Sequence, residues 1–380
     1  MTATHKNFLK TTISAVASAG LGALTISTAS SGCRTFGAGD DGLTFDGITI
    51  TEGAAWEVRD GCVYTHSGTS LSRGTLQDSS TGSAIAFTSA AIVEQNPAAR
   101  FSDLTHLAMA SVMPGGRLTL ESGVPVSTTD QTAKTSVYYT PYVHNVVPLW
   151  DGYKWVPVEF SETTLALGTL TSGKPYDVFG YLSAGALVLE SLVWTNDTTR
   201  ATAVTLQDGR YCKSGDKTRL LLGTFYTTST TTTEDSKTSR YLCNVYNVRS
   251  RLLQVTEATA NWNYNTFTWR SANNNTSNRV RVLTSVPGPL LDLQVVQRAY
   301  GSATAIATWV SIGAGSTSAP SSNATLGART GVEVLGMLAS LKAASPVGAQ
   351  YYQWLERGHG SGTSTFISDS AAFLFGSIDQ

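Results

Sequence analysis

The sequence predicts an all-β protein of several sandwich or barrel modules, and three observations lead there. Short runs of aromatic and β-branched residues recur along all 380 residues. Polar turn signals separate them at the roughly 8–12-residue spacing of all-β folds. The second observation is Val143-His-Asn-Val-Val-Pro-Leu-Trp150, which turns at Asp151-Gly152 and returns as Tyr153-Lys-Trp-Val-Pro-Val-Glu-Phe160. Asp-Gly between such runs signals a two-residue hairpin, because that turn needs positive φ and Gly adopts it without steric cost. The third is composition: 41% hydrophobic residues can build cores, while only 14% are charged, against ~25% in an average protein. Thr, Ser, Ala and Gly fill the difference. Such a surface is polar but weakly charged, which suits strands covered by other subunits.

A chain of this length suggests two or three domains, and we read three: 1–105, 106–257 and 258–380. Near the start, Lys6 and Lys10 followed by residues 11–26 loosely resemble a leader. Thr, Ser and Gly dilute the apolar run, so it reads as a structural arm. In the first module, Ala23-Leu-Thr-Ile-Ser27, Leu43-Thr-Phe45 and Ile48-Thr-Ile50 read as strands. Trp56-Glu-Val58, Asp60-Gly61 and Cys62-Val-Tyr-Thr65 read as a hairpin, and Ser83-Ala-Ile-Ala-Phe-Thr88 closes the module. Residues 104–126, with Met109, Met113, Pro114-Gly-Gly116 and Pro125, read as a linker. In the central module, Tyr176-Asp-Val-Phe-Gly-Tyr181, residues 186–194 and Arg219-Leu-Leu-Leu-Gly-Thr-Phe-Tyr226 are strands, with a turn at Asp208-Gly209. The tract 227–233 reads as an exposed strand end or loop. Tyr241-Leu-Cys-Asn-Val-Tyr246 and Arg251-Leu-Leu-Gln-Val255 finish that module. In the third, Phe267-Thr-Trp269, residues 280–283, 291–296, 305–312, 351–355, 365–367 and 373–378 are strands, and Pro287-Gly-Pro289 is a sharp turn. Residues 332–344 suit a helix through Leu335, Leu338 and Leu341. The β surroundings favour a strand.

The chemistry-bearing motifs are few. Gly37-Ala-Gly39-Asp-Asp-Gly42 has the bare dinucleotide-binding spacing, but a strand follows it and two aspartates would repel a phosphate, so it reads as a turn-rich loop. His5, His66, His106, His144 and His359 are scattered, with no i, i+4 pair around a Glu; no nucleophile elbow or phosphate loop occurs. No cofactor or metal is expected. Glycoside hydrolysis needs only two carboxylates. Glu159, Glu190 and Glu356 stand beside aromatic residues, an ordinary position for strand ends, and no enzymatic role is expected. Cys33, Cys62, Cys212 and Cys243 form no zinc pattern. Cys33–Cys62 and Cys212–Cys243 are conceivable disulfides, though buried thiols are favoured. The net charge of −1 argues against nucleic-acid binding. No run reaches the ~18 apolar residues of a membrane span. Asn196, Asn274, Asn275 and Asn323 begin glycosylation sequons that a Thr-rich chain produces by chance.

The aromatic cluster Trp262, Tyr264, Phe267 and Trp269 alternates with Asn and Thr. Alternating aromatics build cores, and that reading is favoured. Exposed, the same rings would stack on sugars while amides bond hydroxyls. The candidate surface-recognition residues are therefore Trp262, Tyr264, Trp269, Asn274 and Asn275, with the loops 273–278 and 313–323 as further places for recognition.

Three blocks, in order, resemble structural proteins of tailed-bacteriophage virions. The first is 44–90, with Trp56-Glu-Val58, Tyr64-Thr65, Leu71-Ser-Arg-Gly-Thr-Leu76 and Ser79-Ser-Thr-Gly-Ser-Ala-Ile-Ala-Phe87. The second carries Leu149-Trp-Asp-Gly-Tyr-Lys-Trp155, Tyr176-Asp-Val-Phe179, Thr205-Leu-Gln-Asp-Gly209, Lys213-Ser-Gly-Asp216, Leu222-Gly-Thr-Phe225, Glu234-Asp-Ser236 and Arg240-Tyr-Leu-Cys-Asn-Val-Tyr-Asn247. The third is Tyr352-Gln-Trp-Leu-Glu356 with Gly362-Thr-Ser-Thr-Phe366. Cys62, Cys212 and Cys243 depart from the pattern. The resemblance implies a virion component assembled in the bacterial cytoplasm, a tail fibre or tail-associated spike. It implies an intertwined homotrimer, attached to tail, neck or capsid proteins by its N-terminal module. A jelly-roll-like C-terminal domain would then face host cell-surface glycan. A head fibre, collar or capsid-decoration protein is the alternative, followed by a free carbohydrate-binding adhesin and a polysaccharide depolymerase.

Overall fold

The computed structural model describes residues 10–16, 22–29, 35–45, 47–88, 91–95, 112–368 and 372–380. The fold is all-β: among the described residues the helical elements are single 3-10 turns. None is long and apolar enough to cross a membrane. Two compact units divide the chain, Met1–Ala108 and Met109–Gln380.

Among the described residues, the first unit is one nine-stranded sheet. Its order is Thr44–Phe45, Cys62–Thr65, Ser70–Leu71, Leu24–Ala29, Lys10–Val16, Ile92–Gln95, Ile48–Glu52, Ala55–Asp60 and Thr75–Ser79. Alternation turns Cys62 and Tyr64 inward onto a core with Leu24, Ile48, Ile50 and Val93. Phe36 meets Phe45 edge-on at 5.0 Å and stacks on Tyr64 at 4.9 Å.

The expected hairpin across Asp60-Gly61 does not form. Ala55–Asp60 pairs with Ile48–Glu52 and Thr75–Ser79, whereas Cys62–Thr65 pairs with Thr44–Phe45 and Ser70–Leu71. Asp60 Oδ1 accepts the Gly47 N–H at 2.7 Å and Gly61 lies at φ +69°, so the chain turns a corner there. Residues 37–42 make the expected local turn, with Asp40 Oδ2 accepting the Gly37 N–H at 2.9 Å.

A buried charged cluster sits inside this unit. Glu57 accepts hydrogen bonds from Arg59 at 2.9 and 3.1 Å and from Arg73, and all three side chains are buried. Burial pushes the Glu57 carboxyl up, but the two arginines and the Ile85 N–H outweigh it and leave it below its ordinary value.

Among the described residues, the second unit holds two large cores. Around the first stand three sheets. One joins Gly116–Thr119, Ser136–Pro141 and Thr163–Ala166, and another is the hairpin Val146–Trp150 with Trp155–Glu159. The third runs Ala186–Val193, Pro175–Ser183, Asp216–Tyr226, Arg210–Lys213, Val204–Gln207, with Leu242–Asn244 added onto Asp216–Tyr226. Trp155, Tyr139, Phe160 and Phe225 fill the space between them.

Three expectations need correction here. The opening hairpin exists, but Trp150 pairs with Trp155, leaving a four-residue loop. Asp151 Oδ1 closes it by accepting the N–H groups of Tyr153 and Lys154, each at 2.8 Å. The expected linker over 104–126 contains the fully buried strand Gly116–Thr119, while residues 104–111 lie outside the described set. Gly116 belongs there because a Cβ would stand 2.6 Å from the Tyr139 ring and 2.8 Å from that of Phe160. The tract 227–233 has exposed residues at its middle, but Thr227 and Thr233 are buried and bridge each other. Asp208-Gly209, by contrast, is a true two-residue turn, at φ 49° and 79°.

The second core lies between two sheets. One runs Gln131–Lys134, Thr233–Asp235, Ser239–Arg240, Arg279–Thr284, Gly348–Arg357, Ala307–Ala314, Gly327–Thr330, with Arg270–Ser271 on Gly348–Arg357. The other runs Ser250–Thr256, Phe373–Asp379, Leu290–Gly301, Ser364–Ile367, Asn261–Tyr264. Leu335–Ala344 pairs along Leu290–Gly301, so residues 332–344 hold a strand as expected. Val280, Val282 and Ile312 of the first sheet meet Leu291, Leu293 and Val295 of the second. A boundary at 257 separates neither sheet, because strands on both sides of it pair with one another.

Buried polar groups lie beside both cores, and Arg200 links them by donating to Ser285 O at 2.6 Å. Asp235 lies 3.2 Å from Arg240 and 2.8 Å from Arg251, and Asp177 lies 2.6 Å from Arg200. Cys212 and Cys243 are free, buried thiols, so the disulfide between them is absent. Burial pushes Cys212 up to about 12 and Cys243 up to about 11, which keeps both protonated. Cys62 is buried in the first unit, and Cys33 lies outside the described residues.

Candidate functional site

Strand Gly348–Arg357 ends in Glu356 and Arg357, whose side chains point to opposite faces of the sheet. The candidate site is built on that alternation. Register sets Arg270 opposite Glu356 on one side and Trp309 opposite Arg357 on the other.

Glu356 is buried. Trp262 Nε1 donates to its Oε2 at 2.5 Å, and Arg270 Nε donates to Oε1 at 2.8 Å. Burial pushes the carboxyl up to about 7, against the opposing pull of Trp262 and Arg270. In the unfolded chain the group ionises near its ordinary 4.5. Between those values the folded state holds the extra proton, so stability is fully present below the lower value. It falls as pH rises through the upper one, by about 3 kcal/mol. Glu356→Gln is expected to remove that slope. Urea denaturation at pH 5 and pH 8 checks it, and equal slopes in both proteins would contradict it.

Arg357 lies within three rings. Its guanidinium carbon is 4.3 Å from the Phe267 centroid, 4.8 Å from Trp269 and 4.3 Å from Trp309. Phe267 meets Trp309 edge-on at 5.4 Å, and the His359 ring lies parallel to Trp309 at 6.1 Å. The loop 265–269 is held down by Gly358, whose N–H donates to Thr266 O at 3.1 Å. A Cβ on Gly358 would stand 2.3 Å from Tyr264 O, so only glycine lets the loop approach this closely.

The sequence-predicted residues separate here. Trp262 is 7% exposed and stacks on Phe366 at 5.9 Å, so it is a core residue and not a surface one. Its alternation on strand Asn261–Tyr264 faces it inward. Tyr264 is half-buried over Arg270 at 3.7 Å, and its hydroxyl shares a hydrogen bond with Thr268 Oγ1 at 2.8 Å. Trp269 is half-buried against Arg357. Asn274 and Asn275 are exposed on the 3-10 turn after Arg270–Ser271, where Asn273 and Asn274 take φ of 53° and 52°. Phe267–Trp269 is a loop and not the expected strand, because the chain leaves the sheet after Tyr264 to cover Arg357.

The sequence alone places Trp309 on a strand and His359 among scattered histidines, and it gives Arg357 no role. Trp309 and Arg357 meet only through antiparallel register between distant strands, which leaves no local signal. Of the carboxylates considered for catalysis, Glu159, Glu190 and Glu356 stand on three different sheets. Among the described residues no group of three His, Cys, Asp or Glu side chains could hold a metal ion. What the site offers is rings, a cation and a rigid two-sheet base. No protein-family model and no curated protein matches the sequence.

Proposed function

We propose that this chain is a structural component of a bacteriophage virion, a tail fibre or tail-associated spike. In this reading it trimerises, attaches through its first unit, and presents the jelly-roll-like two-sheet part of its second unit to host cell-surface glycan. The observation that carries the proposal is the gathering of Phe267, Trp269, Trp309 and His359 about Arg357 on a rigid β base. One exposed ring and three half-buried ones beside a cation are a recognition surface in a protein whose remaining surface is weakly charged. Self-association is supported by Leu326, Leu335 and Leu338, all more than half exposed. The order of sequence blocks supplies the virion context. A head fibre, collar or capsid-decoration protein remains the alternative within the same class.

Mass in solution tests the assembly. The subunit is 40.2 kDa, and a closed trimer is expected at about 120 kDa. A stable monomer would overturn the fibre reading in favour of a decoration protein or a free adhesin. Antibody labelling of intact particles then tests whether the protein is on the virion.

A further inference from the structure

We propose that the Arg357 corner binds a carboxylate-bearing sugar, a uronic or sialic acid residue of an acidic glycan. This deepens, and rests on, the glycan-recognition part of the function proposed above.

Arg357 shares the lack of an acidic partner with Arg279, but among the described residues it is the arginine that lies within three rings, where Arg279 meets one, Tyr351. Arg200, Arg219, Arg240, Arg251 and Arg270 each meet an Asp or Glu within 3.2 Å, and Arg117 donates to backbone carbonyls. Among the described residues nothing accepts a hydrogen bond from Arg357. Its Nε is buried without a partner, while Nη1 and Nη2 are unbonded and not buried. The neighbouring Glu356 does not neutralise it, being directed to the opposite face and occupied by Trp262 and Arg270.

The three rings hold the guanidinium in place while its two terminal nitrogens reach solvent. A fork held in this way matches a carboxylate in two-point geometry, with little ordering left to do on binding. Beside it, Phe267 is 55% exposed. An apolar ring next to an unpaired cation selects a ligand with an apolar face and an adjacent anion. A pyranose carrying a carboxylate has both. Inorganic phosphate has only the charge, and a neutral sugar only the face.

The test uses the full-length protein, followed by tryptophan fluorescence and saturation-transfer NMR. The probes are glucuronate-containing oligosaccharide, sialyllactose, the methyl esters of both, neutral glucose oligosaccharide, and inorganic phosphate. At least one acid probe is expected to bind about tenfold more tightly than its ester. Arg357→Met keeps the stem between the rings and is expected to abolish that preference, and Phe267→Ala to weaken the acid sugar by about tenfold. The acid-against-ester comparison needs no variant, so it stands even if Arg357→Met misfolds. Equal binding of acid, ester and neutral sugars that Phe267→Ala weakens would overturn the acid assignment and leave glycan recognition standing. Phosphate binding as tightly as the acid sugars would overturn the sugar assignment. No saccharide binding by a protein of trimeric mass would overturn the site and leave the virion reading intact.

Discussion

Trp354→Ala is expected to cost the second unit about 3–5 kcal/mol, the range for deleting a large core aromatic. Trp354 has no exposed surface and stands at the centre of the second core, 6.4 Å from the Trp262 ring in an edge-on arrangement. Strand Gly348–Arg357 has neighbours on both sides, so the backbone cannot move in to fill the space. For a unit of this size the loss corresponds to roughly 5–9 °C in melting temperature. Trp354→Phe should cost less than the alanine, because it keeps most of the ring and removes an indole N–H that has no acceptor. Thermal melts of the three proteins decide it. An alanine variant melting within about 2 °C of the parent would show that the core repacks.

Glu57→Ala is the second large effect, expected at about 3–5 kcal/mol in the first unit, because it leaves two buried guanidinium groups without their anion. Arg59 and Arg73 are almost fully buried, and Arg73 also donates to Ile85 O at 2.7 Å and lies 5.4 Å from the Phe87 ring. A small unit has about 5–15 kcal/mol in all, so this is a large share of it. Replacing all three charges with apolar side chains should recover much of the loss, since the desolvation cost leaves with them. The sign with pH is opposite to that at Glu356. Glu57 is held below its ordinary 4.5, so its contribution is present above that value and is lost as pH falls through the lower, folded one. Amide exchange along Ile48–Glu52 and Ala55–Asp60 measures this directly. Unchanged protection in Glu57→Ala would refute it.

Much of the β character is legible because period-two alternation and turn chemistry are local. Asp208-Gly209 shows this, with both residues at positive φ. Asp151-Gly152 has the same dipeptide, yet the Asp151 carboxylate bonds two following amides and opens the loop to four residues. Dipeptide identity marks a turn but not its length. Pro114-Gly-Gly116 reads as linker because two of its residues lack side chains, and that lack is what lets Gly116 slide under Tyr139 and Phe160. The candidate site was half legible. Tyr264 and Trp269 sit in one short aromatic segment, so the sequence points at the loop. Arg357 and Trp309 reach it through pairing across about 50 residues, which only topology supplies.

The pairing of Ser250–Thr256 with Phe373–Asp379 has a kinetic consequence. About 120 residues of chain separate the two strands, and bringing them together must precede any gain from the contacts between them. Leu290–Gly301 then has to receive Phe373–Asp379 and Ser364–Ile367 along one edge and Leu335–Ala344 along the other. Such non-local β topology folds on timescales of milliseconds to seconds or longer. Contacts that form after the rate-limiting step slow the reverse reaction. The base beneath Arg357 is therefore slow to assemble and far slower to come apart, so its persistence is governed by the unfolding rate more than by equilibrium stability.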